Sequence, residues 1–206
     1  MASGPRVTAR LGTSVDGNPG IVLIAPQEAL PEQFEVLETA LRREGYATLS
    51  FSLPPNAFAE AGAVAPAIHA LLDQAVNALQ SAGVPASEIA LAGMGPAATV
   101  AASYAAEHPG IAGLILISPG LREQGIALEL LFDRVDDRPV FLAAADNDAY
   151  TASSAQTLKA QSDGFCELRL FPGSAQGLDL FSSHPNAIQQ LLQWLHTSLP
   201  LPGEKP

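Results

Sequence analysis

The residues of this 206-residue chain that offer acid–base, nucleophilic or metal chemistry are few: four histidines, one cysteine, and scattered carboxylates and hydroxyls. His69, His108, His184 and His196 include no pair at the i, i+4 or His-x-Glu spacing that a zinc site needs. Their positions suit ordinary structural roles, with His108 and His184 each preceding a proline at a helix boundary and His69 and His196 on helix surfaces. Cys166 stands alone, which excludes an internal disulfide and any multi-cysteine zinc or iron–sulfur centre, and it reads as a small packed side chain. No metal and no cofactor is therefore expected. Ligands of open α/β sheets bind at the carboxyl ends of the strands, and here those ends carry Gln27, Pro54, Asn56, Met94, Ser118, Asp148 and Gln176. No acid–base pair with a nucleophile is legible among them.

These positions belong to a regular alternation of short apolar runs and amphipathic stretches, the pattern of βα units around a parallel sheet. The all-apolar run Ile21 to Ala25, set between Pro19-Gly20 and Pro26, is expected to be a strand buried on both faces. From Pro31 to Glu44, Phe34, Leu37, Ala40 and Leu41 recur at helical spacing, and Gly45 supplies the stop. Further strands are expected at 46–53, 89–92, 114–117, 140–144 and 167–171, with helices at 64–82, 97–107, 126–132, 153–161 and 186–198. Arg6 to Leu11 reads as an antiparallel edge strand. The fold class expected is α/β, a three-layer αβα sandwich around a mostly parallel, doubly wound sheet.

Length and composition bound the rest. One domain over residues 1–198 is expected, with 199–206 a Pro-rich, disordered tail, since a usual domain has about 100–150 residues. A hydrophobic share of 48% with 15% charged residues excludes a disordered chain, and no apolar run approaches the ~20 residues of a membrane span. The net charge of −11 repels phosphates and anionic surfaces, so no nucleic-acid partner is expected for this acidic protein. Met1 to Val7 carries one arginine and no apolar stretch, which makes the cytoplasm the expected compartment by default, a processed secreted or periplasmic protein remaining the alternative.

The run Ala90-Leu-Ala-Gly93-Met94-Gly95-Pro96-Ala97, leading into an alanine-rich helix and then His108-Pro109 and Gly113 to Pro119, resembles the nucleophile elbow of the α/β-hydrolase superfamily. The small lidless esterase or dienelactone-hydrolase-like branch is the most similar. Arg138 to Ala143 followed by Asp146-Asn147-Asp148 matches the place of that family's acid loop, and Leu170 to Leu180 matches the place of its histidine loop, so the resemblance covers roughly residues 20–198. Gly45 to Pro54 is more weakly similar to an uncharacterised bacterial branch. The resemblance implies an α/β-hydrolase fold without a large lid, because 121–138 is too short for one.

The same resemblance implies that the catalytic chemistry is gone. The Gly-x-Ser-x-Gly pattern becomes Gly93-Met94-Gly95-Pro96-Ala97, so the nucleophile slot holds a residue without a side chain. Gly-x-x-His-Gly becomes Gly173-Ser174-Ala175-Gln176-Gly177, and an amide cannot take a proton near neutral pH. The N–H that follows the nucleophile and serves the oxyanion hole is deleted by Pro96, and the second donor loop reads Ala25-Pro26-Gln27. Gly95, Asp148 and Gln176 are then vestigial triad positions, with Asp148 serving equally well as a helix cap. The implied function is a non-catalytic, pseudoenzyme-like scaffold that binds a small molecule or a protein, with Gln27, Met94, Gly95, Pro96, Ala97, Asp148 and Gln176 as ligand-binding candidates. The helix that opens at Pro96 is expected to offer free N–H groups to an anion or polar ligand. Two alternatives stay open: a hydrolase acting on esters through displaced residues, and a purely structural or assembly role.

Overall fold

A computed structural model describes residues 10–12, 17–58, 63–135 and 137–203. The chain runs β1 (Arg10–Gly12), β2 (Gly20–Ala25), α1 (Pro31–Arg43), β3 (Ala47–Ser52), α2 (Pro66–Ser81), β4 (Ile89–Met94), α3 (Ala97–Glu107) and β5 (Gly113–Ile117). It continues through β6 (Arg122–Glu123), β7 (Ile126–Ala127), α4 (Leu128–Phe132), β8 (Val140–Ala145), α5 (Ala149–Gln161), β9 (Cys166–Phe171), α6 (Asp179–Ser183) and α7 (Pro185–Ser198). Among the described residues, seven strands form one sheet in the order β1-β3-β2-β4-β5-β8-β9, parallel except for β1, which pairs antiparallel with β3. Residues 6–9 of the expected edge strand lie outside the described residues, and Arg10 and Leu11 fall in β1 as expected.

Because both faces of the sheet are covered, its central strands have no polar side, and successive residues feed opposite cores. In β2, Val22 and Ile24 join one core with Ile68 and Leu72 of α2, Val100 of α3, Phe132 of α4 and Leu158 of α5. Ile21, Leu23 and Ala25 join the other with Phe34, Leu37 and Leu41 of α1, Phe181 of α6, and Leu191 and Trp194 of α7. This is a three-layer αβα sandwich. The chain leaves β2 for β3 on one side and returns past β2 to β4 on the other, so the order reverses at the carboxyl ends of β2 and β4, where a crevice opens. Among the described residues no helix is long and apolar enough to cross a membrane.

Two local expectations change. The segment 126–132 is not one helix: β6 and β7 form a short hairpin through Gln124 and Gly125, both at positive φ, and α4 starts only at Leu128. The tail from Leu199 is not loose over its described part, because Leu199 is buried and Leu201 packs against the α1–α7 core. The buried Tyr46 hydroxyl donates to the Leu199 carbonyl at 3.1 Å, which ties residue 199 to the start of β3. Tyr46→Phe removes that donor from a buried carbonyl and should lower stability by about 1–2 kcal/mol, read as a fall in the urea midpoint at constant m-value.

Candidate functional site

The turn from β4 into α3 builds the centre of the crevice. A Cβ on Gly93 would lie 2.4 Å from the Ala97 carbonyl oxygen and 2.6 Å from the Ala98 Cα, so the helix can pack this close to the strand only over glycine. Gly95 is in the left-handed region at φ +56°, its N–H donates to the Ile117 carbonyl at 2.8 Å, and Pro96 leads into the first turn of α3. Nothing sterically bars a side chain at Gly95, since the nearest atom to its virtual Cβ is Cγ of Pro26 at 3.7 Å. The backbone angle alone favours glycine there.

Two neighbouring loops complete the arrangement. The loop after β8 and the loop after β9 are stitched together: Asp146 N–H donates to Phe171 O, Gly173 N–H to Asp146 Oδ1 at 3.0 Å, and Asn147 N–H to Gly173 O at 2.9 Å. Gln176 Nε2 donates to Asp148 Oδ2 at 2.6 Å, a direction fixed by chemistry because a carboxylate only accepts. The same Oδ2 accepts from the Thr151 hydroxyl at 2.6 Å, and Asp148 caps α5 through its contact with the Thr151 N–H. Asp148 is thus both the cap and the anchor of Gln176. The buried hydroxyl of Ser118, itself at φ +51°, accepts from the Gly177 N–H at 3.1 Å and fixes the glutamine loop beside the elbow.

Gly95, Pro96 and Gln176 line a cavity of about 240 Å³, whose wall also includes Pro26, Glu28 and Asp179. That is below the ~300–1,000 Å³ of sites for drug-sized ligands, so it suits a smaller molecule. A second cavity of about 200 Å³ shares Pro26, Glu28 and Pro96 with the first and adds Gln27 and Glu123. Burial pushes the Glu123 carboxyl above its ordinary pKa.

Some expected ligand contacts are not made. Met94 and Ala97 are fully buried, Met94 in the α1–α7 core by strand alternation and Ala97 beneath the helix packed on Gly93, so neither side chain lines a cavity. Asp148 stands behind Gln176 rather than in the cavity wall. The start of α3 also offers no open anion site: the Ala98 and Thr99 N–H groups donate to Gly95 O and Pro96 O, and Ala97, Ala98 and Thr99 are buried. His184 stacks on Phe171 with ring centroids 5.6 Å apart and lies outside this cavity. Glu28, Gln33, Leu178 and Asp179 carry no strand-end or motif signal in the sequence. Their one local signal is Gln33, whose Oε1 accepts from the Leu30 N–H at 2.8 Å at the start of α1.

No family model and no curated protein matches the sequence. Solved structures do match over nearly the whole chain. The esterase Est1E from Butyrivibrio proteoclasticus is 17% identical with a TM-score of 0.73, covering 95% of this chain and 97% of its own. A dienelactone hydrolase from Anabaena variabilis is 14% identical with a TM-score of 0.70, over 97% and 95% of the two chains. A predicted CIB-like hydrolase from Thermoplasma acidophilum is 12% identical with a TM-score of 0.72, over 93% of each. Together with the strand order and the tight β4–α3 turn, these define an α/β-hydrolase fold, in the arrangement of dienelactone hydrolases and small esterases.

The two elbow glycines should respond differently to substitution. Gly93→Ala drives a Cβ into backbone and should cost about 3 kcal/mol or prevent folding, whereas Gly95→Ser meets only the left-handed backbone and should cost about 1 kcal/mol. Denaturant midpoints of the two variants check this, and an unchanged midpoint for Gly95→Ser would contradict the strained turn.

Proposed function

We propose that this protein is a non-catalytic α/β-hydrolase-like protein, a pseudoenzyme that keeps the scaffold and binds a small molecule or a protein partner at the former reaction site. The observation that carries the reading is the pairing of Gln176 with Asp148 beside an elbow whose tip is Gly95. A triad needs a nucleophile, a base that takes its proton, and an acid that orients the base. Of these, the proposal assigns only the acid position a competent side chain, and Asp148 there holds an amide that accepts no proton from a nucleophile. Pro96 denies the oxyanion position an N–H. The small cavity between Gly95 and Gln176 supports binding as the retained role.

The test is a restoration series assayed by burst kinetics with an activated aryl ester. The wild-type protein should hydrolyse the ester no faster than a matched inert protein, since losing a triad serine or histidine costs on the order of 10⁶ in kcat. Gly95→Ser alone should stay silent because triad members act as a unit. Gly95→Ser with Gln176→His should recover weak turnover, and adding Pro96→Leu should raise it by a further 10²–10³, roughly the value of one oxyanion donor. Saturable turnover by the wild type that survives repurification would overturn the proposal. Equal rates in the double and triple variants would refute the role given to Pro96.

A further inference from the structure

The sheet ends differently on its two sides. β1 closes one edge with three residues, whereas β9 closes the other with six, and among the described residues β8 is the only strand that pairs with it. The register with β8 runs unbroken from Cys166 to Phe171, without a bulge, and the strand carries no lysine or proline. Shortness, bulges, lysine and proline are the usual ways of blunting an edge, whose outward N–H and C=O groups are otherwise a template for another strand. The carbonyls of Phe165 and Phe171 accept from Val140 N–H and Asp146 N–H on the β8 side. Alternation along the strand therefore turns the main-chain groups of Leu168 and Leu170 outward. Arg169 Nη1 reaches the Leu168 carbonyl at 3.3 Å on that open side, and the carbonyl's second lone pair is left for another donor. Phe165 and Leu170 add exposed apolar surface, at 52% and 39%.

The one charged feature of β9 is a pair of opposite sign, Arg169 and Glu167, whose Nη2 and Oε1 atoms lie 2.5 Å apart. We infer that β9 is a self-recognition edge, pairing antiparallel with β9 of a second copy about a two-fold axis at Leu168. In that register Leu168 lies opposite Leu168, Glu167 opposite Arg169, and Arg169 opposite Glu167. The outward groups of Leu168 then exchange two hydrogen bonds, and both Glu167–Arg169 pairs fall at the non-hydrogen-bonded positions, where side chains come closest. Each charge gains a second neighbour of opposite sign, so the four close into a ring. Moving the axis to residue 167 or 169 sets like charges directly opposite each other, which is destabilising. The charge pair thus selects one register and one partner, a copy of this chain, through a patch that is its own complement. The β9 edge is separate from the crevice between β2 and β4, so the inference stands independently of the function proposed for the crevice.

Sedimentation velocity of the full-length protein over a concentration series reads the association directly, in about 0.15 M salt to screen the repulsion between two chains of net charge −11. The native protein should pass from monomer to dimer as its concentration rises. Glu167→Arg and Arg169→Glu, each alone, set like charges opposite and should weaken the dimer by on the order of tenfold. Mixed in equal amounts, the two variants should recover it as a heterodimer, because each supplies the sign that the other lacks; recovery also shows that both variants are folded. Amide hydrogen exchange should show the Leu168 N–H gaining protection as the native protein dimerises. A native protein that stays monomeric at every concentration would overturn the inference and mean that the charge pair guards the edge. A dimer that ignores both single reversals, or a mixture that fails to recover one, would overturn β9 as the interface. Growth beyond the dimer would contradict the closed two-fold arrangement.

Discussion

The close approach of α3 to β4 at Gly93 is the constraint on which the site depends. A Cβ there would sit 2.4 Å from the Ala97 carbonyl, and the helix begins only four residues after Gly93, with its alanine-rich face pressed into the sheet. The chain between has to turn sharply, and it does so by putting Gly95 at positive φ with its N–H held by Ile117. That places Gly95 and Pro96 at the reversal point of the sheet, where the loops after β2 and β9 converge.

What occupies that frame decides its chemistry. In an α/β-hydrolase elbow the exposed position carries a nucleophile and the next N–H faces the oxyanion, whereas here the positions hold glycine and proline. Glycine at this turn is physically coherent, because it relieves a backbone conformation that costs other residues on the order of 1–3 kcal/mol. The Gln176–Asp148 hydrogen bond has a comparable logic: the amide donates to the same carboxylate that caps α5, so the glutamine loop stays anchored by the Asp148 and Ser118 contacts whatever chemistry the loop performs.

Much of this was legible in the sequence, for specific reasons. The central strands are buried on both faces, so runs such as Ile21 to Ala25 and Leu114 to Ile117 announce themselves by being wholly apolar, and α3 matches its expected bounds at Ala97 and Glu107. Glycine and proline at 93, 95 and 96 carry backbone requirements that survive without contacts, which is why the elbow could be located. Burial direction at a strand end is harder: Met94 faces the core because of its place in the alternation, and Ala97 is covered by its own helix packing. The cavity wall formed by Glu28, Gln33 and Asp179 was illegible because α1 and α6 meet across the fold, Gln33 bonding a residue 146 positions away. The contact that holds residue 199 was illegible for a similar reason, since Tyr46, whose hydroxyl bonds the Leu199 carbonyl, lies 153 positions away.

The central claim is that the elbow of this α/β-hydrolase fold carries no competent nucleophile. Its most direct measurement is intact-mass analysis after prolonged exposure to a fluorophosphonate, which phosphonylates an activated serine and needs no turnover to register. The account predicts an unmodified mass for the native protein. A stoichiometric adduct, mapped by peptide sequencing to any residue lining the crevice, would contradict it.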